Sequence, residues 1–281
     1  KMAPVDLLIG PLIQCCEAAT LGMPFEVWKT RMGMNRTEGT IEAFKNIYKK
    51  GGPKAFWAGT GPKMFESASK GMILMYAKEG INETLLAGGM NPTSAGVLAG
   101  AGGGIAQVSV MGPCTYLVTG AVNDPTTSVL SRVKQTYKRG GIAGFYPGGT
   151  AIAFRQATNW ASRQGFTEFV RARFKILFNG DKDAHLTKGQ EVLSGIVGGT
   201  MACWNHPFEV ARIEAQTLGN LGKPVGSMTK VMADIVRVDG VQGLFRGVVP
   251  RIGLGIWQTL FMVTGAKLIK DELREKGLIE K

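Results

Sequence analysis

The sequence predicts an all-α membrane protein with six transmembrane helices in three pseudo-symmetric repeats, each carrying a short amphipathic helix between its two spans. Three observations predict it. A proline follows an apolar, small-residue stretch three times, in Pro24-Phe25-Glu26-Val27-Trp28-Lys29, Pro113-Cys114-Thr115-Tyr116-Leu117-Val118 and Pro207-Phe208-Glu209-Val210-Ala211-Arg212, spaced by 89 and 94 residues. A second landmark follows each proline, in Phe56-Trp57-Ala58-Gly59, Phe145-Tyr146-Pro147-Gly148 and Leu244-Phe245-Arg246-Gly247, its last glycines spaced by 89 and 99 residues. The composition also lies between classes, with 44% hydrophobic residues, 19% charged residues and 40 glycines, and a mean hydropathy of +0.05. That is too polar for uniformly apolar spans and too apolar for an ordinary soluble enzyme. It suits helices that turn polar side chains toward a wet interior.

Two landmarks recurring in one order mark an internal repeat and divide the chain into 1–90, 91–185 and 186–281. The spans are expected at roughly 5–34, 60–87, 92–122, 148–178, 187–218 and 247–275, each meeting the ~20 residues a bilayer core requires. The first amphipathic helix runs from Thr40 to Lys50, with Ile41, Phe44, Ile47 and Tyr48 on one face. The others run from Ser128 to Tyr137 and from Val225 to Val238. Proline should kink each odd-numbered span. Gly96 with Gly100, and Gly195 with Gly199, offer small-residue steps for close helix contact.

The formal net charge is +12, which suits anionic partners such as acidic metabolites, anionic lipid or nucleic acid. Lys49-Lys50 and the bases from Lys134 to Arg139 fall on the short helices, where lipid headgroups account for them, so nucleic acid is not expected as a partner. Cys15, Cys16, Cys114 and Cys203 form no CxxC pair, and His185 and His206 stand outside any ligand-like spacing. Neither a zinc site nor a disulfide framework is expected, and no nucleophile–base pair points to enzymatic chemistry. Lys1-Met2-Ala3-Pro4 shows no Arg/Ser-rich leader, so targeting is expected to be internal or to reside in a segment preceding this sequence.

The three repeats of Pro-x-acid-x-x-base with a later aromatic-x-Gly resemble the mitochondrial carrier family over essentially the whole chain. The resemblance implies three helix pairs around a central cavity, alternating between cytoplasm-open and matrix-open states, in a monomer of the mitochondrial inner membrane. It places the prolines and short helices toward the matrix and implies cardiolipin as a lipid partner. The charges after the prolines would form an ion-pair gate, here Glu26, Lys29, Glu209 and Arg212. Repeat two departs from the pattern, with Thr115 and Val118 where the acid and base belong. Pairing each acid with the base of the next repeat leaves only Glu209–Lys29 complete, so Glu26 and Arg212 are expected to lack partners and the gate to be weaker or closed by uncharged contacts. The corresponding motif at the other end is also degenerate, at Tyr76-Ala77, Phe166-Thr167 and Val263-Thr264, with Lys267 as its surviving base.

Counting from each aromatic-x-Gly glycine gives three rows: Glu66, Arg155 and Leu254; Lys70, Asn159 and Gln258; Leu74, Arg163 and Met262. A step of four holds one helical face. The resemblance puts substrate contacts at the first row, which nominates Glu66, Arg155 and the neighbouring Gln156, with Lys70, Leu74, Asn159, Leu254 and Gln258 on the same faces. Arg251 lies one turn earlier and adds a base from repeat three. Charge inside a span usually faces a cavity or a partner, and arginine offers a planar fork for a carboxylate. Lys70, Arg155 and Arg251 come from three repeats and together suit two or three carboxylates. Arg251 has an alternative as a carbonyl or gate contact. Glu66 is expected to restrain Lys70 or to carry a proton, and Arg163 to lie above the site or in the cytoplasmic network. Gln14, Glu17 and Gln107 either line the cavity or join helices.

The strings Arg155-Gln156-Ala157-Thr158-Asn159-Trp160-Ala161-Ser162-Arg163, Pro250 to Gln258 and Glu66-Ser67-Ala68-Ser69-Lys70-Gly71 are similar to those of fungal citrate/oxoglutarate carriers. The activity so implied is antiport of a citrate-class tricarboxylate for a dicarboxylate such as 2-oxoglutarate. The alternative is export of cis-aconitate or a related acid in exchange for malate.

Overall fold

The computed structural model describes residues 4–180 and 185–275, which form twelve α-helices and no strand. Repeat one holds α1 (Pro4–Glu17), α2 (Met23–Met34), α3 (Thr40–Gly51) and α4 (Thr60–Ala87). Repeat two holds α5 (Pro92–Ala106), α6 (Val108–Asn123), α7 (Val129–Gly140) and α8 (Gly149–Asn179). Repeat three holds α9 (Lys188–Met201), α10 (His206–Asn220), α11 (Met228–Asp239) and α12 (Val248–Glu275). The all-helical architecture is the one the sequence predicts. Among the described residues no single helix is long and apolar enough to cross a membrane, whereas the bent pair α5–α6 passes by length and composition. The long helices α4 and α8 carry the charged row residues Glu66, Lys70, Arg155 and Arg163.

Each odd-numbered span is broken upstream of its proline rather than at it. The breaks are the π-helical Ala18–Gly22, the 42° bend between α5 and α6, and the 3₁₀ turn Ala202–Asn205. Proline lacks an N–H and its ring pushes off the carbonyl four residues earlier, so the ladder opens on the N-terminal side. Ser109 O, four before Pro113, accepts from the Tyr146 hydroxyl at 2.7 Å, and Ala19 O, five before Pro24, accepts from Trp57 Nε1 at 2.7 Å. Those donors are the aromatics of aromatic-x-Gly, which gives that landmark a physical reason in two repeats. Phe245 offers no donor, and there the link runs in reverse, with His206 Nε2 2.8 Å from Arg246 O.

The glycines of the same landmark close the ring. Gly59, Gly148 and Gly247 precede α4, α8 and α12 with φ of +84°, +73° and +84°, a left-handed backbone that disfavours side chains. A Cβ on Gly59 would lie 3.1 Å from Val118 Cα, on Gly148 3.2 Å from Arg212 Cα, and on Gly247 3.0 Å from Lys29 O. Each glycine therefore packs on the next repeat at the residue five after its proline, and repeat three returns to repeat one. Gly247→Ala should cost about 1–3 kcal/mol from the forced left-handed conformation alone, read as a lowered apparent Tm in detergent. An unchanged Tm would show that this contact does not close the ring.

Of the expected glycine contacts that of Gly195 forms, a Cβ there lying 3.3 Å from Thr259 Cγ2, whereas Gly96, Gly100 and Gly199 face open space. The close approaches belong to Gly103, against Leu74, and Gly198, against the Thr167 backbone at 2.7 Å. A shift of one to three residues turns a helical position to another face. On α3, Ala43 and Ile47 are buried while Ile41, Phe44 and Tyr48 stay exposed, so the apolar face is only partly covered by protein. Ser128 and Ser227 cap α7 and α11 by accepting from Ser131 N and Lys230 N, both at 3.3 Å.

Candidate functional site

The three long helices and the broken spans enclose one polar cavity of about 220 Å³. Among the described residues seven cationic side chains line it, Lys29, Lys63, Lys70, Arg155, Arg163, Arg212 and Arg251, against three carboxylates, Glu26, Glu66 and Glu209. The excess of four positive charges sits in a space small enough for one polyanion.

The floor is an ion-pair network. Lys29 Nζ lies 2.7 Å from Glu209 Oε1 and 2.9 Å from Glu26 Oε1. Arg212 grips Glu209 through two nitrogens, at 2.9 and 3.1 Å, the bidentate fork that guanidinium geometry favours. The Glu209–Lys29 pair forms as the ring logic requires. The expectation that Glu26 and Arg212 lack partners is wrong. Each pairs within its own helix at i,i+3, Glu26 with Lys29 and Arg212 with Glu209, and they approach one another at 4.0 Å. The i,i+3 spacing puts acid and base on one helical face, a contact that counting only between repeats overlooks.

Repeat two closes its sector without charge. Gln216 Nε2 donates to Thr115 Oγ1 at 2.8 Å, and Gln216 Oε1 accepts from Thr119 Oγ1 at 2.9 Å and Arg212 Nη1 at 2.7 Å. These groups are at most 5% exposed, so each must be satisfied inside the protein. Outside the spans, Arg36 joins repeat one to repeat three through Asp239, at 2.6 Å, and Glu214. Burial works against that guanidinium, but the hydrogen bond to Asp239 and the charge of Glu214 outweigh it and hold its pKa above the ordinary value.

Lys63 links floor to site and was not among the residues singled out from sequence. It lies 3.2 Å from both Glu66 oxygens and 3.8 Å from Glu26. Glu66 therefore pairs with Lys63 and not with Lys70. The signal was present, because Lys63 occupies the same offset from Gly59 as Arg251 does from Gly247.

Glu66, Lys70, Arg155, Gln156, Asn159, Arg251, Leu254 and Gln258 all line the cavity. Leu74 does not; it packs on α5 at Gly103. A step of four overshoots a 3.6-residue turn by 40°, so two steps from Glu66 rotate the side chain about 80° away. Arg163, two steps from Arg155, lines the cavity despite the same rotation, because its long side chain reaches from the exposed end; it donates to Thr259 Oγ1 at 3.4 Å. Gln107 lines the cavity and joins repeats, with Nε2 to Lys70 O at 2.8 Å and Oε1 accepting from Gln156 at 2.7 Å. Glu17 is buried off the cavity, as Gln14 is partly. The side chains of Val263, Thr264 and Lys267 lie outside the described residues.

The cations divide into two groups. Lys29, Lys63 and Arg212 are within 4.0 Å of carboxylates, and Arg155 leans on Glu209 with Nε at 3.2 Å. Among the described residues Lys70, Arg163 and Arg251 have no carboxylate within ion-pair distance. One comes from each repeat. Sequence reasoning had named Arg155 for repeat two.

Comparison with known proteins agrees with this architecture. A family model described as "Mitochondrial carrier protein" matches three times, at residues 2–88, 90–176 and 185–277. The chain is 34% identical over 282 residues to the "Citrate/oxoglutarate carrier protein" of Saccharomyces cerevisiae, covering 95% of this chain and 89% of that protein. It is 24% identical to the "Tricarboxylate transport protein" of the same yeast, covering 88% of each. It is also 24% identical to the human "Mitochondrial 2-oxodicarboxylate carrier", covering 86% of this chain and 84% of that protein. With three repeats matched along nearly its whole length, and the ring of helix pairs around a charged cavity, the chain belongs to the mitochondrial carrier protein family.

Proposed function

We propose that this carrier is a multi-pass antiporter of the mitochondrial inner membrane that exchanges citrate-class tricarboxylates for dicarboxylates such as 2-oxoglutarate. The observation that carries the reading is the set of three cations without carboxylate partners among the described residues, Lys70, Arg163 and Arg251, one from each repeat around one cavity. A tricarboxylate offers one carboxylate to each. The relatives named for citrate, tricarboxylates and 2-oxodicarboxylates support the same substrate class.

Arg155 couples the site to the floor. Its Nε lies 3.2 Å from Glu209 without a hydrogen bond, a contact that a ligand can outbid. A substrate carboxylate that pairs with this guanidinium draws Arg155 from Glu209 and loosens the network that holds Lys29 and Arg212. Binding thus favours a state in which the floor can part, which is what a ligand must do to shift a two-state equilibrium. The same logic applies to Lys63, which divides itself between Glu66 and Glu26. No bond in the substrate is made or broken, so the chain acts as a carrier and not as an enzyme.

The test is counter-exchange in liposomes. Vesicles loaded with 2-oxoglutarate should accumulate labelled citrate saturably, and vesicles loaded with acetate should not. Loading with malate and offering cis-aconitate separates the alternative pair. Uptake that ignores the internal anion, or that accepts a monocarboxylate equally well, would overturn the reading.

A further inference from the structure

Arg251 is held in a different way from the cations of the floor. It reaches from α12 to the break before α10, where Nη2 donates to Asn205 Oδ1 and Nη1 contacts His206 Nδ1 at 3.2 Å. Both partners are fully buried at 0% exposure. The tautomer of His206 follows from its second nitrogen. Nε2 lies 2.8 Å from Arg246 O, which only accepts, so Nε2 carries the hydrogen and Nδ1 is free to accept from Arg251. Asn205 is fixed as well. Its Nδ2 donates to Thr158 Oγ1 at 3.2 Å and Arg155 O at 3.4 Å, which turns Oδ1 to the guanidinium.

Both acceptors of Arg251 are therefore uncharged, and both are locked in the accepting orientation by a second contact. Lys29 and Arg212, in the same cavity, rest on carboxylates instead. A carboxylate in place of the amide would give Arg251 a stronger, charge-assisted bond. It would also cancel the charge that the cavity presents.

We propose that Asn205 and His206 form a neutral cradle that sets substrate charge, holding Arg251 in place while leaving it uncompensated, so that the cavity selects a third carboxylate. This rests on the tricarboxylate–dicarboxylate exchange proposed above. Neither residue lines the cavity, so both are positioning residues. Two carboxylates can be met by Lys70 and Arg163, so a dicarboxylate depends less on the cradle than a tricarboxylate does.

The experiment compares citrate uptake with 2-oxoglutarate homo-exchange in liposomes for the full chain and for Asn205→Asp, which changes charge at nearly constant shape. The variant should raise the KM for citrate about tenfold or more while leaving the KM for 2-oxoglutarate within about twofold, a split that a general folding defect does not produce. His206→Asn keeps a neutral acceptor and should retain the citrate preference, whereas His206→Asp should lose it; this pair decides the matter if Asn205→Asp does not fold. Parallel loss for both substrates, or no change for either, would overturn the cradle. A wild-type protein that exchanges 2-oxoglutarate but not citrate would instead overturn the exchange reading on which the cradle rests, and the cradle with it.

Discussion

Lys70→Ala should reduce citrate exchange by about 30-fold to about 5,000-fold, the range that corresponds to losing one buried charge partner at about 2–5 kcal/mol. The side chain faces the cavity on α4 without a carboxylate in reach among the described residues. The local backbone is held independently, since Gln107 Nε2 binds Lys70 O. The variant should therefore keep its fold and lose its ligand. Lys70→Arg restores the charge and should recover part of the rate. Initial rates of citrate uptake, with apparent Tm as a folding control, check both. Full transport by Lys70→Ala would remove this residue from the site.

Glu209→Gln should destabilise the protein by about 3–5 kcal/mol, because removing one partner of a buried pair strands the others. Glu209 is contacted by Lys29, Arg212 and Arg155, and its carboxylate is 2% exposed. With glutamine there, Glu26 alone remains to face Lys29 and Arg212. At about 2–4 °C per kcal/mol for a domain approaching this size, apparent Tm should fall by about 10 °C. Glu26→Gln should cost less, because its contacts with Lys63 and Arg212 are long, at 3.8 and 4.0 Å. Equal Tm for wild type and Glu209→Gln would mean that the floor network is not what holds this state together.

Much of this was legible in the residues. The repeated proline and aromatic-x-Gly landmarks located the six helical segments, and seven of the nine positions in the step-of-four rows line the cavity. Failures have a common physical source, which is that a position along a helix does not state its angle or reach. Leu74 rotates away over two steps of four, while Arg163 compensates for the same rotation by length. Glu26 and Arg212 find i,i+3 partners on their own helices, so reasoning from ring symmetry alone left them unpaired. Lys63 escaped notice although Arg251 marks the equivalent offset in repeat three. The Asn205–His206 pair was not legible at all, because its importance depends on a break in the helix that points two buried acceptors at Arg251.

The central claim is that Lys70, Arg163 and Arg251 bind one tricarboxylate together. The most direct measurement is thermal stabilisation by citrate, titrated against the wild type and the three single alanine variants in detergent. At about a hundredfold excess over Kd a ligand adds about 2.7 kcal/mol to the stability of its host, or about 5–10 °C at this size. The wild type should show that shift, and each alanine variant should require a markedly higher citrate concentration to reach it. Citrate curves that superimpose for the wild type and all three variants would contradict the claim.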